Sequence, residues 1–186
     1  VGGGGLIPGR SVERAVVGGS GRYAGMSGTV TTTFRQGSYR ARFDLFPARD
    51  RGETIRVTAL EGPQRSVDVG KEGVSAGDLT VFAWPLASKD GNPAGVALGA
   101  QTSIRAEQGG LTVNGLLTYQ LRRGDLVVGG LSSFPLGGTT GLRKGRFFER
   151  PILGGTGAYA GARGELRSVR RADGTYDQVF MLRAAG

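Results

Sequence analysis

The segment Ile152-Leu153-Gly154-Gly155-Thr156-Gly157-Ala158-Tyr159-Ala160-Gly161-Ala162-Arg163-Gly164 has a near-copy close to the N-terminus, Val16-Val17-Gly18-Gly19-Ser20-Gly21-Arg22-Tyr23-Ala24-Gly25-Met26-Ser27-Gly28. The register is strict over a longer block. Gly5 matches Gly141 and Gly28 matches Gly164, a spacing of 136 (141 − 5) at both ends. Within it Leu6, Gly9, Arg10, Glu13, Arg14, Tyr23 and Ala24 recur as Leu142, Gly145, Arg146, Glu149, Arg150, Tyr159 and Ala160. Further on, Tyr39, Phe43 and Leu45 recur as Tyr176, Phe180 and Leu182, displaced by one through the extra Asp173. A repeat that keeps glycines and special positions together over this length is a duplication.

In each copy a short apolar strand runs into glycines, an alternating strand leaves them, and a turn (Gln36-Gly37, Asp173-Gly174) returns a second alternating strand. Glycine allows positive φ and close backbone approach, which a sharply bent strand connection needs. Gly154, Gly155, Gly157, Gly161 and Gly164 are therefore assigned to a structural corner. Gly155-x-Gly157-x-x-Ala160 also resembles a dinucleotide fingerprint, but that motif opens a helix. Here strand periodicity and more glycine come next, twice. Gly-Gly-Ser-Gly around Ser20 is not a nucleophile elbow, because its second copy has Thr156 and the chain has no histidine.

The 186 residues include 36 glycines, many Val and Thr, and no long helical period, which indicates an all-β protein rich in tight turns. The chain is long enough for one domain with a substantial core, or one domain plus an appendage. No apolar run approaches the ~20 residues of a membrane helix, and no secretory signal is visible, leaving the compartment open between cytoplasmic and secreted. The absence of cysteine removes disulfides, thiolate nucleophiles and Cys metal sites. The absence of histidine removes His-dependent triads, His general bases and His-ligated zinc. The net charge of +9 comes from 24 basic residues, of which only Lys71, Lys89 and Lys144 are lysines. An arginine-rich solvated surface accounts for it. A polyanion partner is the competing reading, centred on 143–171, but no aromatic series is interleaved there for stacking on bases. No nucleic-acid partner is expected.

Turn signals at Glu61-Gly62-Pro63, Ser75-Ala76-Gly77, Asp90-Gly91-Asn92-Pro93, Gln108-Gly109-Gly110, Arg123-Gly124 and Asp173-Gly174 separate strand candidates at 53–60, 65–70, 78–86, 96–106, 111–122, 125–134, 147–154, 163–171 and 175–183. Sequential hairpin-joined strands predict an eight-stranded antiparallel up-and-down barrel, which removes free sheet edges by closure. Pro47 to Gly52 is read as a polar connector. Residues 47–186 are then one complete barrel, and 1–46 a partial repeat, the last three strands of a preceding one. Three strands cannot close a barrel, so 1–46 is expected either to pack on another molecule or sheet, or to be the stub of a truncated tandem protein. Arg123-Gly124-Asp125, although it spells an adhesion tripeptide, falls where a hairpin turn is expected anyway.

Glu149-x-Pro151-Ile152-Leu153-Gly154-Gly155-Thr156-Gly157-Ala158-Tyr159-x-x-Ala162-Arg163-Gly164 resembles the corner motif of dirigent proteins, and the first copy is similar to that of allene oxide cyclases. Gly77 to Leu86 followed by Asp90-Gly91, and Gly124 to Gly130, resemble other strands of this superfamily. The likeness covers most of 77–186 and recurs in 5–46. It implies an eight-stranded barrel with a pocket in its bore, commonly homo-oligomeric and working without metal or cofactor. Allene oxide cyclases carry a proline and an asparagine where this chain has Val81 and Trp84, and dirigent proteins an acidic pair where it has Ala83 and Trp84. Neither chemistry carries over. The chain is closer in kind to the bacterial, spirotetronate-type barrel cyclases, which fold a linear polyketide for intramolecular cycloaddition.

Such a ring closure needs reactive ends held close and aligned rather than proton transfer. Aromatic walls and one or two donors to a carbonyl suffice. Tyr119 and Tyr176 are the candidate catalytic groups, Trp84 the wall, and Gln101, Asn114 and Thr118 orienting polar groups. Each has a bland alternative: Trp84 as plain core, the polar residues as outward-facing positions, since strand period alone does not say which face is inside. Glu149 and Arg163 read as structural. The expected partner is a small hydrophobic substrate. The competing functions are a non-catalytic ligand-binding barrel and a secreted or surface interaction protein with an arginine-rich exterior.

Overall fold

A computed structural model describes residues 9–47, 49–107, 110–134 and 144–184. Alternation governs it throughout. In the last strand Gln178, Phe180 and Leu182 are buried while Met181 and Arg183 are exposed, the period-2 signature of a sheet with one covered face.

Among the described residues twelve strands run in chain order: β1 Ser11–Val16, β2 Met26–Arg35, β3 Ser38–Pro47, β4 Arg49–Ala59, β5 Gln64–Val67, β6 Leu79–Ala87, β7 Pro93–Glu107, β8 Gly110–Leu121, β9 Gly124–Phe134, β10 Phe147–Gly155, β11 Arg163–Arg170 and β12 Tyr176–Ala184. They form two sheets. β1-β2-β3 stand apart from the order β4-β12-β11-β10-β9-β8-β7-β6-β5, in which β4 also pairs with β6. That last pairing, Thr58 with Ala87 and Ala59 with Leu86, closes an eight-stranded antiparallel barrel. β5 continues along the same edge of β6. Between β4 and β5 the chain stays hydrogen-bonded to β6 through Leu60 N–H to Pro85 O and Ala83 N–H to Pro63 O.

Pro47 to Gly52, read as a connector, is strand on both sides of Ala48. Hydrogen bonding to β2 and β12 outweighs the polar composition there. The Gln108-Gly109 turn lies outside the described residues. The Arg123-Gly124 hairpin forms, and its Arg123 is tied to Glu53 at 3.0 Å.

The corner is bent as the repeat requires. β10 shifts register against β9 between Ile152 and Gly154, a bulge that turns the strand. A side chain on Gly155 would place its Cβ 2.5 Å from Asp125 O and 2.6 Å from Tyr159 O. Gly164, at φ +134, would place its own 2.0 Å from Met181 O. Gly154 is under no such pressure, since its nearest neighbour is Arg163 Nη1 at 3.7 Å. Instead of a helix, a single 3-10 turn, Gly157–Tyr159, comes next. The first copy repeats it at Gly21–Tyr23 with the same flanking geometry: φ/ψ −125/171 at Ser20 and −122/172 at Thr156. Strand register repeats as well, Val16 opposite Gly28 and Ile152 opposite Gly164. The first corner sits on the outer wall of the barrel, where Gly21 N–H donates to Glu165 Oε2 at 2.6 Å.

Candidate functional site

Inward positions are the even residues of β6, β9, β10, β11 and β12 and the odd residues of β4, β7 and β8, as burial shows. Toward the glycine corner the bore is solid with apolar side chains. Leu126, Val128, Ile152, Leu166 and Phe180 are each fully buried. Phe180 meets the Tyr119 ring edge-on at 4.8 Å between centroids.

Next to this plug lies a polar belt. Tyr119 Oη donates to Gln178 Oε1 at 3.5 Å, and Ser168 Oγ donates to the same oxygen at 2.5 Å. Arg150 Nε donates to Ser132 Oγ at 2.8 Å. The Arg150 guanidinium is wholly buried, with its carbon 4.8 Å from the Phe148 ring centroid. Among the described residues its Nη1 and Nη2 have no hydrogen-bond partner, and neither has the buried Nε1 of Trp84. Gly115 brings Gln101 into this group: a Cβ there would lie 3.1 Å from Gln101 Cγ and 3.3 Å from Arg150 Nη2.

Burial pushes the Tyr119 phenol well above its ordinary value of 10, against the opposing pull of Arg150. The phenol is therefore a neutral donor across the working pH range. Burial draws Arg150 down from 12.5, and among the described residues Tyr119 is the one titratable group acting on it. No carboxylate reaches the belt among the described residues. The aromatic wall is Phe82, Trp84 and Tyr176, with Phe82–Trp84 at 4.6 Å and Trp84 stacked on Tyr176 at 5.6 Å and 20°. The arrangement sets an apolar aromatic surface and fixed hydrogen-bond donors within one bore. Among the described residues no group of three His, Cys, Asp or Glu could hold a metal ion.

Of the residues singled out from sequence, Trp84, Tyr119, Tyr176 and Gln101 face the bore. Asn114 and Thr118 do not. Both occupy even positions of β8, whose odd positions Val113, Leu117 and Tyr119 are buried, so strand period sends them outside. Asn114 instead lines a shallow groove of about 400 Å3 on the outer wall, with Ala100, Thr102, Leu116, Gly129 and Leu153. Sequence reading missed Arg150, Ser132, Ser168 and Gln178. Glu149 pairs with Arg167 across β10 and β11 at 3.0 Å, and Arg163 Nη1 donates to Ala162 O at 2.9 Å.

No family model and no curated protein matches the chain. Solved structures do. Pyocyanin demethylase superposes with a TM-score of 0.60 at 25% identity, over 70% of this chain and 99% of the other. AbnU, an exo-specific intermolecular Diels-Alderase, gives 0.51 at 19% identity over 70% and 98%. The Diels-Alderase AbmU from Streptomyces koyangensis gives 0.53 at 14% identity over 70% and 64%. The fold is theirs.

Proposed function

We propose that the chain is a cofactor-free cyclase of the bacterial barrel type, which binds a hydrophobic polyketide-like substrate in its bore and promotes ring closure by shape. The observation that carries this reading is an aromatic wall beside buried neutral and cationic donors, with no base among them. A cycloaddition draws on that set: the wall holds a conjugated diene against its partner alkene, and a donor lowers the barrier by polarising a conjugated carbonyl. Diels-Alderases on the same fold support the reading, while a demethylase on that fold is a reminder that the reaction resides in the side chains. Tyr119 is assigned the carbonyl donor, Trp84 and Tyr176 the wall, and Gln101 the orienting amide.

The test uses a linear substrate carrying a conjugated diene and an enone. Trp84→Ala is expected to slow ring closure at least tenfold with substrate still bound. Loss of binding alone assigns the barrel to ligand carriage. An absence of any acceleration by the wild-type protein over buffer refutes the cyclase reading.

A further inference from the structure

We infer that Arg150 is a binding site for a carboxylate, so that the ligand of this bore is an apolar chain ending in, or carrying, that group. Three facts converge. The guanidinium is fully buried. Its Nε is committed to Ser132, while the two terminal nitrogens, Nη1 and Nη2, are unpartnered among the described residues. Tyr119, neutral by burial, is the one titratable group acting on it, so no counter-ion among the described residues offsets its charge.

A buried cation with only one hydroxyl and one aromatic face to compensate it is still costly for a fold to retain. Arginine cannot escape by losing its proton. The chemistry that relieves it is set by which nitrogens are open. An end-on Nη1/Nη2 pair presents two parallel N–H groups at the spacing of the two oxygens of a carboxylate. A lone carbonyl would have to share one oxygen between the two and would bring no charge to offset the cation. Half-buried Phe148, whose ring lies against the guanidinium, and half-buried Gln101 are side chains beside it. Their displacement admits the head group, and the wall of Trp84 and Tyr176 receives the apolar remainder. This names a substrate class for the proposed cyclase and rests on that reading only for the ring closure that comes after binding.

The experiment compares 2,4-decadienoate with its methyl ester and its primary amide. Trp84 is the sole tryptophan of the chain, so its emission reports the bore directly. The carboxylate is expected to bind at least tenfold tighter than either neutral analogue. Arg150→Met, an unbranched apolar replacement, should remove that preference, and Arg150→Lys, which keeps charge but loses the fork, should retain only part of it. Equal binding of acid and ester overturns the inference. So does a preference that survives Arg150→Met, or a Trp84 signal that none of the three compounds shifts up to millimolar concentration. Should Arg150→Met fail to fold, the acid–ester–amide comparison on the wild type and Arg150→Lys decides alone. A barrel that prefers the carboxylate but closes no ring keeps this inference and loses the cyclase. One that cyclises neutral polyenes with no acid preference does the reverse.

Discussion

Gly164→Ala and Gly28→Ala put the same strain into the two copies of the corner, and their different consequences separate local geometry from global stability. Gly164 has φ +134 and Gly28 has φ +153; in both, an added Cβ would lie 2.0 Å from a carbonyl oxygen, of Met181 and Asp44 respectively. Backbone strain in this glycine-only region costs about 1–3 kcal/mol. Relieving the contact means opening the β11–β12 ladder locally, at roughly 1 kcal/mol for each hydrogen bond lost. With one such bond lost, the total for Gly164→Ala is then about 2–4 kcal/mol, a large share of the ~5–15 kcal/mol that stabilises a typical domain. At roughly 4 °C per kcal/mol for a domain of this size, the barrel should melt about 8–16 °C lower. Gly28→Ala carries the same local cost but falls in a sheet that, among the described residues, makes no ladder with the barrel. Differential scanning calorimetry should show its effect in a separate transition, while the melt monitored by Trp84 emission stays within about 2 °C of wild type. A Trp84 transition lowered equally by both substitutions refutes the separation of the two sheets. A Gly164→Ala protein melting within about 3 °C of wild type, roughly 1 kcal/mol, refutes the strain argument itself.

Two further expectations come from titration. Burial holds the Tyr119 phenol above 10, so the stability it contributes is complete below pH 10 and is lost as pH rises from there toward the folded value. The slope is about 1.4 kcal/mol per pH unit for one such group, and a melting series from about pH 8 to 11 should be flatter in Tyr119→Phe. An unchanged slope in that variant would remove Tyr119 as its source. At the acid end, the Ser75 and Val69 backbone N–H groups hold Asp78 below its ordinary value of 3.8. The order of the loop over 68–78 is therefore present above 3.8 and lost as pH falls through the lower folded value. The Ser75 and Val69 amides should lose protection from exchange in that window, and in Asp78→Asn at neutral pH; protection that persists in Asp78→Asn counts against the clip.

The corner was legible because it is written twice. Glycines without a common purpose would not keep one spacing through Gly19/Gly155 and Gly28/Gly164, and each of these four meets a backbone carbonyl within 2.6 Å of where its Cβ would be. The strands were legible from their turns and from alternation. The site was legible only in part, because a single strand does not announce its inner face. Yet the two faces of β8 exclude each other. Tyr119 and Thr118 are adjacent residues of one strand and cannot both line a bore, a conflict visible in the sequence itself. Arg150 escaped notice because arginine is by default a surface residue, although Phe148 and Ile152 on its own face marked that face as inner.

The two copies also show which level of structure each residue obeys. Phe180 and Phe43 are the same position of the repeat, each on the second strand after the corner, and the backbones leading to them agree within a few degrees at the corner caps. Phe180 is fully buried, while Phe43 is 58% exposed. Arg150 and Arg14 diverge in the same way, one sealed in the bore and the other on an open sheet. Conformation is thus set locally, by glycines and turns, whereas burial depends on the five other strands that close the barrel around β10, β11 and β12. The chemistry depends on burial in turn. An arginine on an open sheet is solvated, whereas the same position enclosed by eight strands holds a buried charge with two nitrogens that lack a hydrogen-bond partner among the described residues.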